Sequence, residues 1–196
     1  MEDILGNKGV DINGYDYDYN TPLMHAADNG HHDIVRRLLE YPGIQIGKRD
    51  GSWPRDSGYT ALHWACESNE ISIVQLLCQD SKCDPGDVNK KEISGYTPLM
   101  IAVDRGYLDI VKELDIEGTD FFTKDGDGGT LTEVARRWNN DDKVLEYLIK
   151  RNRVDSLRAI AAHNVARHVK NKADVEALEI PETVRQFLAG FVENEV

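Results

Sequence analysis

Long apolar runs are missing from this chain: no stretch approaches the roughly 20 consecutive apolar residues that a helix needs to cross a bilayer. The opening residues, MEDILGNKG, carry neither a basic cluster nor an apolar core, so no secretory signal is expected. Catalytic signatures are missing as well. There is no G-x-x-x-x-G-K-[ST] to cradle a phosphate, no G-x-S-x-G elbow to raise a serine, and no H-E-x-x-H to hold zinc. Cysteine is scarce, three in 196 residues. That odd number, with Cys66 and Cys78 inside predicted helices, points to reduced thiols in a cytosolic or nuclear setting and to no disulfide. Cys78 and Cys83 lack a second Cys pair, which argues against a zinc site. Positive charge is short too: 23 Lys and Arg face 35 Asp and Glu, a net charge of −12. Residues 151–196 hold seven of each sign, so the whole excess falls in the first 150 residues. An acidic surface repels phosphate backbones and anionic membranes, which disfavours nucleic acid and membrane as partners and favours a basic protein.

What is present is repetition. One phrase recurs four times: Thr21–Leu39 (TPLMHAADNGHHDIVRRLL), Thr60–Cys78 (TALHWACESNEISIVQLLC), Thr97–Asp115 (TPLMIAVDRGYLDIVKELD) and, degraded, Thr130–Ile149 (TLTEVARRWNNDDKVLEYLI). The starts lie 39, 37 and 33 residues apart, a spacing that belongs to stacked-repeat solenoids. Each Thr stands where a helix begins, and Pro22 and Pro98 occupy the first helical position, where no donor is lost. Leu23, Leu62 and Leu99, each followed three residues later by Ala26, Ala65 and Ala102, predict a helix face that fills a core and lets neighbours approach. Gly30 and Gly106 suit left-handed endings. Ile34, Val35, Leu38 and Leu39, then Ile73, Val74 and Leu77, then Ile110, Val111 and Leu114 predict a second amphipathic helix in each unit.

TPLMHA, TALHWA and TPLMIA, each followed by an I-V-x-x-L element, resemble the T-P-L-H-x-A signature of the ankyrin repeat. The likeness covers about residues 9–150, and it departs in the fourth copy, where Thr132 replaces Leu and the second helix is displaced by one residue (Val144, Leu145, Leu148). At the other end Lys8–Asn13 (KGVDIN) looks like the close of an earlier repeat, so the chain is either a shortened family member or one that starts mid-array. The resemblance implies an all-α ankyrin-repeat solenoid with projecting turns. The expected units are a partial repeat over 1–19 and repeats over about 20–50, 58–90, 95–125 and 128–150, followed by a small C-terminal helical module over 151–196. It also implies binding, without catalysis or cofactor, through a concave groove made by the turns and the first helices.

Equivalent positions of three repeats carry Asp28, Glu67 and Asp104, an expected acidic ladder in that groove. Tyr19, Tyr59 and Tyr96 precede the capping threonines, and the long turn containing Trp53 and Asp56 adds an indole. Aromatic anchors amid charge are the usual make-up of an interface hot spot. Taken singly, each acid reads as solvated surface and each ring as packing on a turn; together they read as a binding face. The histidines carry no chemistry: His63 is the turn-bonding residue of the phrase, and His31 and His32 begin a connection. Asp125-Gly-Asp127-Gly-Gly has a calcium-loop look, but Gly129 and Arg136 stand where ligands are needed, so a turn is expected instead and no metal.

The last segment leaves the repeat. A helix is expected from Asp155 to about Lys170, with Leu157, Ile160, Ala161, Val165 and Val169 on one side, and another from Pro181 with Val184, Phe187, Leu188, Phe191 and Val192. Ser156-Leu157-x-x-x-Ala161-x-x-x-Val165 resembles the element by which a SOCS box grips the Elongin B/C adaptor of ubiquitin ligases. Leu178-Glu179-Ile180-Pro181 resembles its cullin-selecting L-P-x-P. Carried over by position, Leu157 is the main apolar plug, with Ala161 and Val165 beside it; Leu178, Ile180 and Pro181 choose the cullin. Ala161 stands where the family has Cys, and Glu179 replaces the first Pro. The same helices would also serve as a plain cap on the last repeat, leaving a scaffold or inhibitor, since a solenoid must cover its terminal apolar face.

Overall fold

The computed structural model describes residues 11–51, 57–80, 89–116, 119–138 and 143–152. The chain divides into two compact units between Glu146 and Tyr147. In the first, the described helices are α1 (Pro22–Asp28), α2 (His32–Glu40), α3 (Ala61–Glu67), α4 (Ile71–Gln79), α5 (Pro98–Arg105), α6 (Leu108–Glu113) and α7 (Leu131–Trp138). Residues 143–152 are helical as well. Among the described residues there is no strand, only an isolated bridge between Lys124 and Thr130.

Each helix pair starts as the threonines predict. The hydroxyls of Thr21, Thr60 and Thr97 accept the amides of Met24, His63 and Met100 at 3.3, 3.4 and 3.2 Å, satisfying donors that the first turn leaves orphaned. The degraded fourth phrase is capped in the reverse sense: Glu133 accepts both the amide (2.7 Å) and the hydroxyl (2.8 Å) of Thr130. Between the two helices of a pair the chain turns through a left-handed residue, Gly30 (φ 69°), Asn69 (φ 60°) or Gly106 (φ 76°). The following amide then reaches back to the same alanine each time, Ala26, Ala65 or Ala102, at 2.9 Å.

The pairs stack in order: α1 packs on α3, α3 on α5 and α5 on α7, while α2 packs on α4 and α4 on α6. Leu23, Leu62 and Leu99 are at most 2% exposed and Ala26, Ala65 and Ala102 at most 3%. The second helices bury Val35, Val74 and Val111 with Leu38, Leu77 and Leu114. Each such leucine or valine contributes roughly 1.5–3 kcal/mol by leaving water. Ile34 departs from expectation. It is 50% exposed, whereas its equivalents Ile73 and Ile110 are fully buried on helices that pack against the second helix of the pair before.

Candidate protein-binding face

Four turns lead into α1, α3, α5 and α7, and they share one device. The amide of an acidic residue donates to the carbonyl just before the capping Thr: Asp16 to Asn20 (3.0 Å), Asp50 to Tyr59 (2.7 Å), Glu92 to Tyr96 (2.9 Å) and Asp125 to Gly129 (2.9 Å). Its carboxylate accepts the amide of that same residue, at 2.9, 2.8, 2.9 and 2.5 Å respectively. Every turn is thus stapled twice by one residue, once through its backbone amide and once through its carboxylate. In the second turn the staple spans nine residues instead of four, so a longer finger is hosted on an unchanged base. Asp125 therefore belongs to a turn, as expected: it also accepts the Asp127 amide (3.1 Å) and faces the Arg137 guanidinium at 3.0 Å. Sequence reasoning missed this role for Asp16, Asp50 and Glu92. The signal was an acid five residues ahead of the capping Thr, hidden in the second copy by the insertion.

The same turns pass through a left-handed step two residues ahead of the capping Thr. Gly58 (φ 73°), Gly95 (φ 86°) and Gly128 (φ 83°) hold it in three fingers, and Tyr19 (φ 60°) holds it in the first. Tyr19 is therefore not the counterpart of Tyr59 and Tyr96, as its grouping with them supposed; Asn20 is. For a residue with a Cβ this conformation costs roughly 1–2 kcal/mol. Fingers are also tied to one another, the Ile93 amide to Ser57 O (2.9 Å) and the Gly126 amide to Ser94 O (2.8 Å). At that last contact a Cβ on Gly126 would collide with the Ser94 backbone.

On the exposed face of the first helices, Asp28, Glu67 and Asp104 do stand on consecutive helices of the stack. They are not bare. Asp28 accepts the Ser68 hydroxyl (2.6 Å) from the next repeat, and Glu67 is paired with Arg105 of the repeat after. Burial pushes the Asp104 carboxyl up. Its Oδ1 and the indole Nε1 of Trp64 are buried and find no hydrogen-bond partner among the described residues. Tyr59 packs edge-on to Trp64 (centroids 4.9 Å apart) and over His63 (5.3 Å), half-buried; burial raises its hydroxyl to about 12. His63 is a structural residue, as its place in the phrase implies: Nδ1 accepts from Thr60 (2.8 and 3.1 Å), and Nε2 lies 3.4 Å from Tyr96 O. Burial pushes this imidazole down from 6.5 to about 4, so it is neutral at physiological pH. Trp53 and Asp56 lie outside the described residues, as do Cys83 and the adaptor and cullin elements, Leu157, Ala161, Val165, Leu178, Ile180 and Pro181. Among the described residues no helix is long and apolar enough to cross a membrane.

Capped helix pairs in two layers, joined by stapled fingers, define a protein of the helical-repeat class. The family model for ankyrin repeats in three copies matches residues 2–89 and 50–125. The chain belongs to the ankyrin-repeat family. It is 34% identical over 86 residues to the 26S proteasome non-ATPase regulatory subunit 10 of Dictyostelium discoideum, covering 44% of this chain and 34% of that one. An ankyrin repeat protein of Rickettsia bellii is 33% identical over 111 residues, 56% of each chain. The tyrosine-protein kinase HTK16 of Hydra vulgaris is 36% identical over 99 residues, 50% of this chain and 13% of the kinase. The chain thus spans at most about half the length of these relatives. Their names differ in activity, so the likeness carries the repeat and its use as a protein-interaction module rather than any one chemistry.

Proposed function

We propose that this chain is a non-enzymatic receptor that captures a protein with a basic surface through the fingers and the exposed face of α1, α3 and α5. The contact residues are Tyr19, Asp28, Trp53, Asp56, Tyr59, Glu67, Tyr96 and Asp104. The observation that carries this reading is the repeat-spaced row of carboxylates on adjoining helices, with Tyr59 and Trp64 beside it. Two further features support it. Among the described residues the buried Trp64 N–H and Asp104 Oδ1 find no partner, a donor and an acceptor beside the row that a partner's polar groups could meet. The Glu67–Arg105 pair demonstrates that a guanidinium fits the row, and a partner's cation would compete there.

The receptor hands its cargo on through residues 151–196, whose Leu157, Ala161 and Val165 grip Elongin B/C in the manner of a SOCS box, while Leu178, Ile180 and Pro181 select a cullin. The contribution is proximity: the captured protein gains effective concentration near a ligase. The support is the order and spacing of the two motifs after an ankyrin array.

Two measurements test the halves separately. Elongin B/C should co-purify with the intact chain and be lost on Leu157→Asp, with circular dichroism unchanged; an intact chain that never retains Elongin ends the ligase reading. For the groove, Asp28→Asn combined with Asp104→Asn removes charge without inverting it beside Arg105. Capture of the partner found by affinity purification should weaken about tenfold or more, and its dependence on salt should flatten. Undiminished capture would reassign the binding face.

A further inference from the structure

Finger 1, Tyr15–Tyr19, carries an aromatic array that its turn does not require. The chain supplies its own comparison: three sibling fingers make the same stapled turn with glycine at the left-handed step, and only Tyr19 bears a side chain there. That side chain is not hidden for packing, being 44% exposed, and Tyr17 beside it is fully exposed at 102%. Tyr15 lies with its ring centroid 6.3 Å from that of Tyr19, the planes inclined at 52°. Strained backbone that packing does not repay is a pointer to function.

The kind of ligand follows from what surrounds the rings. Lys48 already sets its ammonium 3.9 Å from the Tyr15 centroid, inside the reach of a cation–π contact, so one ring of the array holds a cation that the chain itself offers. Asp16 and Asp18 alternate with the tyrosines. The Asp16 carboxylate is held by the Asp18 and Asn20 amides and by His25 Nε2 at 2.5 Å, which fixes negative charge at the base of the finger. An anionic ligand would be repelled, and a purely apolar one would gain nothing from the acids. We infer that finger 1 is a docking point for a cationic side chain of the partner, received on the exposed rings of Tyr17 and Tyr19 beside the acids of the turn. Arginine fits better than lysine, because its planar guanidinium stacks on aromatic faces. This inference rests on the capture of a basic protein proposed above and names the element that reads it.

The test uses the full 196-residue chain. The probe is a synthetic Gly-Ser peptide bearing three arginines, compared with the same peptide bearing three glutamines, at physiological salt. The arginine peptide should bind and shift the amide resonances of residues 15–20; the glutamine peptide should not. Tyr17→Ala with Tyr19→Gly should weaken binding about tenfold, while Tyr17→Phe retains it, since the ring face and not the hydroxyl does the work. Tyr19→Gly alone should raise the melting temperature as strain is released, so lost binding would not be lost fold. A lowered melting temperature would remove the premise. Binding that survives the double variant but fails on Asp28→Asn with Asp104→Asn would overturn the finger and leave the groove standing. An intact chain that ignores the arginine peptide altogether would take both down together.

Discussion

A single side chain can hold a turn and set a pH limit at once, and His63 does both. Its Nδ1 closes the Thr60 cap only while it is unprotonated. Between 6.5 and about 4 the unfolded imidazole binds a proton that the buried one refuses. The fold is therefore at full strength above pH 6.5 and loses on the order of 3 kcal/mol as the pH falls to 4. Repeats one and three carry methionine at this place, Met24 and Met100, both fully buried, and the Met24 sulfur even accepts the Thr21 amide at 3.4 Å. His63→Met should thus fold, cost at most about 1 kcal/mol at neutral pH, and remove that acid-side loss. Urea midpoints for the two proteins, measured from pH 7 to 4.5, should converge and then cross as pH falls, the variant becoming the more stable. Parallel curves would show that the imidazole is not the titrating group.

At the scale of the element, the four fingers share a staple but not its surroundings. The Asp125 carboxylate is buried, and it satisfies two amides and the Arg137 guanidinium; that of Asp16 is partly open to water beside the exposed His25. Asp125→Ala strands buried donors and should cost about 3 kcal/mol. Asp16→Ala, where water can replace the lost acceptor, should cost under about 1 kcal/mol. Equal losses in a denaturant titration would mean that burial does not control the strength of the staple. These differences also mark what was legible beforehand. The threonine caps, the Leu-Ala faces and the two-layer order were written in periodic residues, because propensity, capping and burial all point the same way there. The staples were not, since an acid before a turn looks like any solvated acid until its amide partners are known. Tyr19 was misgrouped because it stands two residues ahead of its capping threonine, where the other fingers carry glycine, and not one residue ahead like Tyr59 and Tyr96. The acidic row follows from equal spacing within the phrase, but Arg105, which neutralises part of it, comes from the neighbouring repeat and leaves no local trace.

Across the whole stack, each helix pair has too little apolar surface to stand alone and gains stability from its neighbours. Leu77 is fully buried on α4 between α2 and α6, whereas Ile34 lies half-exposed on α2. Leu77→Ala should cost about 2–5 kcal/mol, the range for a leucine emptied from a close-packed core. Ile34→Ala should cost under about 1 kcal/mol, because part of that surface is already wet. The distribution of the loss is more telling than its size. If stability is a sum of pairwise interfaces, emptying the central one uncouples both sides. Amide exchange should then quicken in α2 and α6 as well as in α4, while Ile34→Ala leaves α5 and α6 protected as before. Exchange that quickens in α4 alone would mean that each pair holds itself together. A binding face built from several consecutive repeats would then lack the rigid spacing that a row of carboxylates needs to meet one partner.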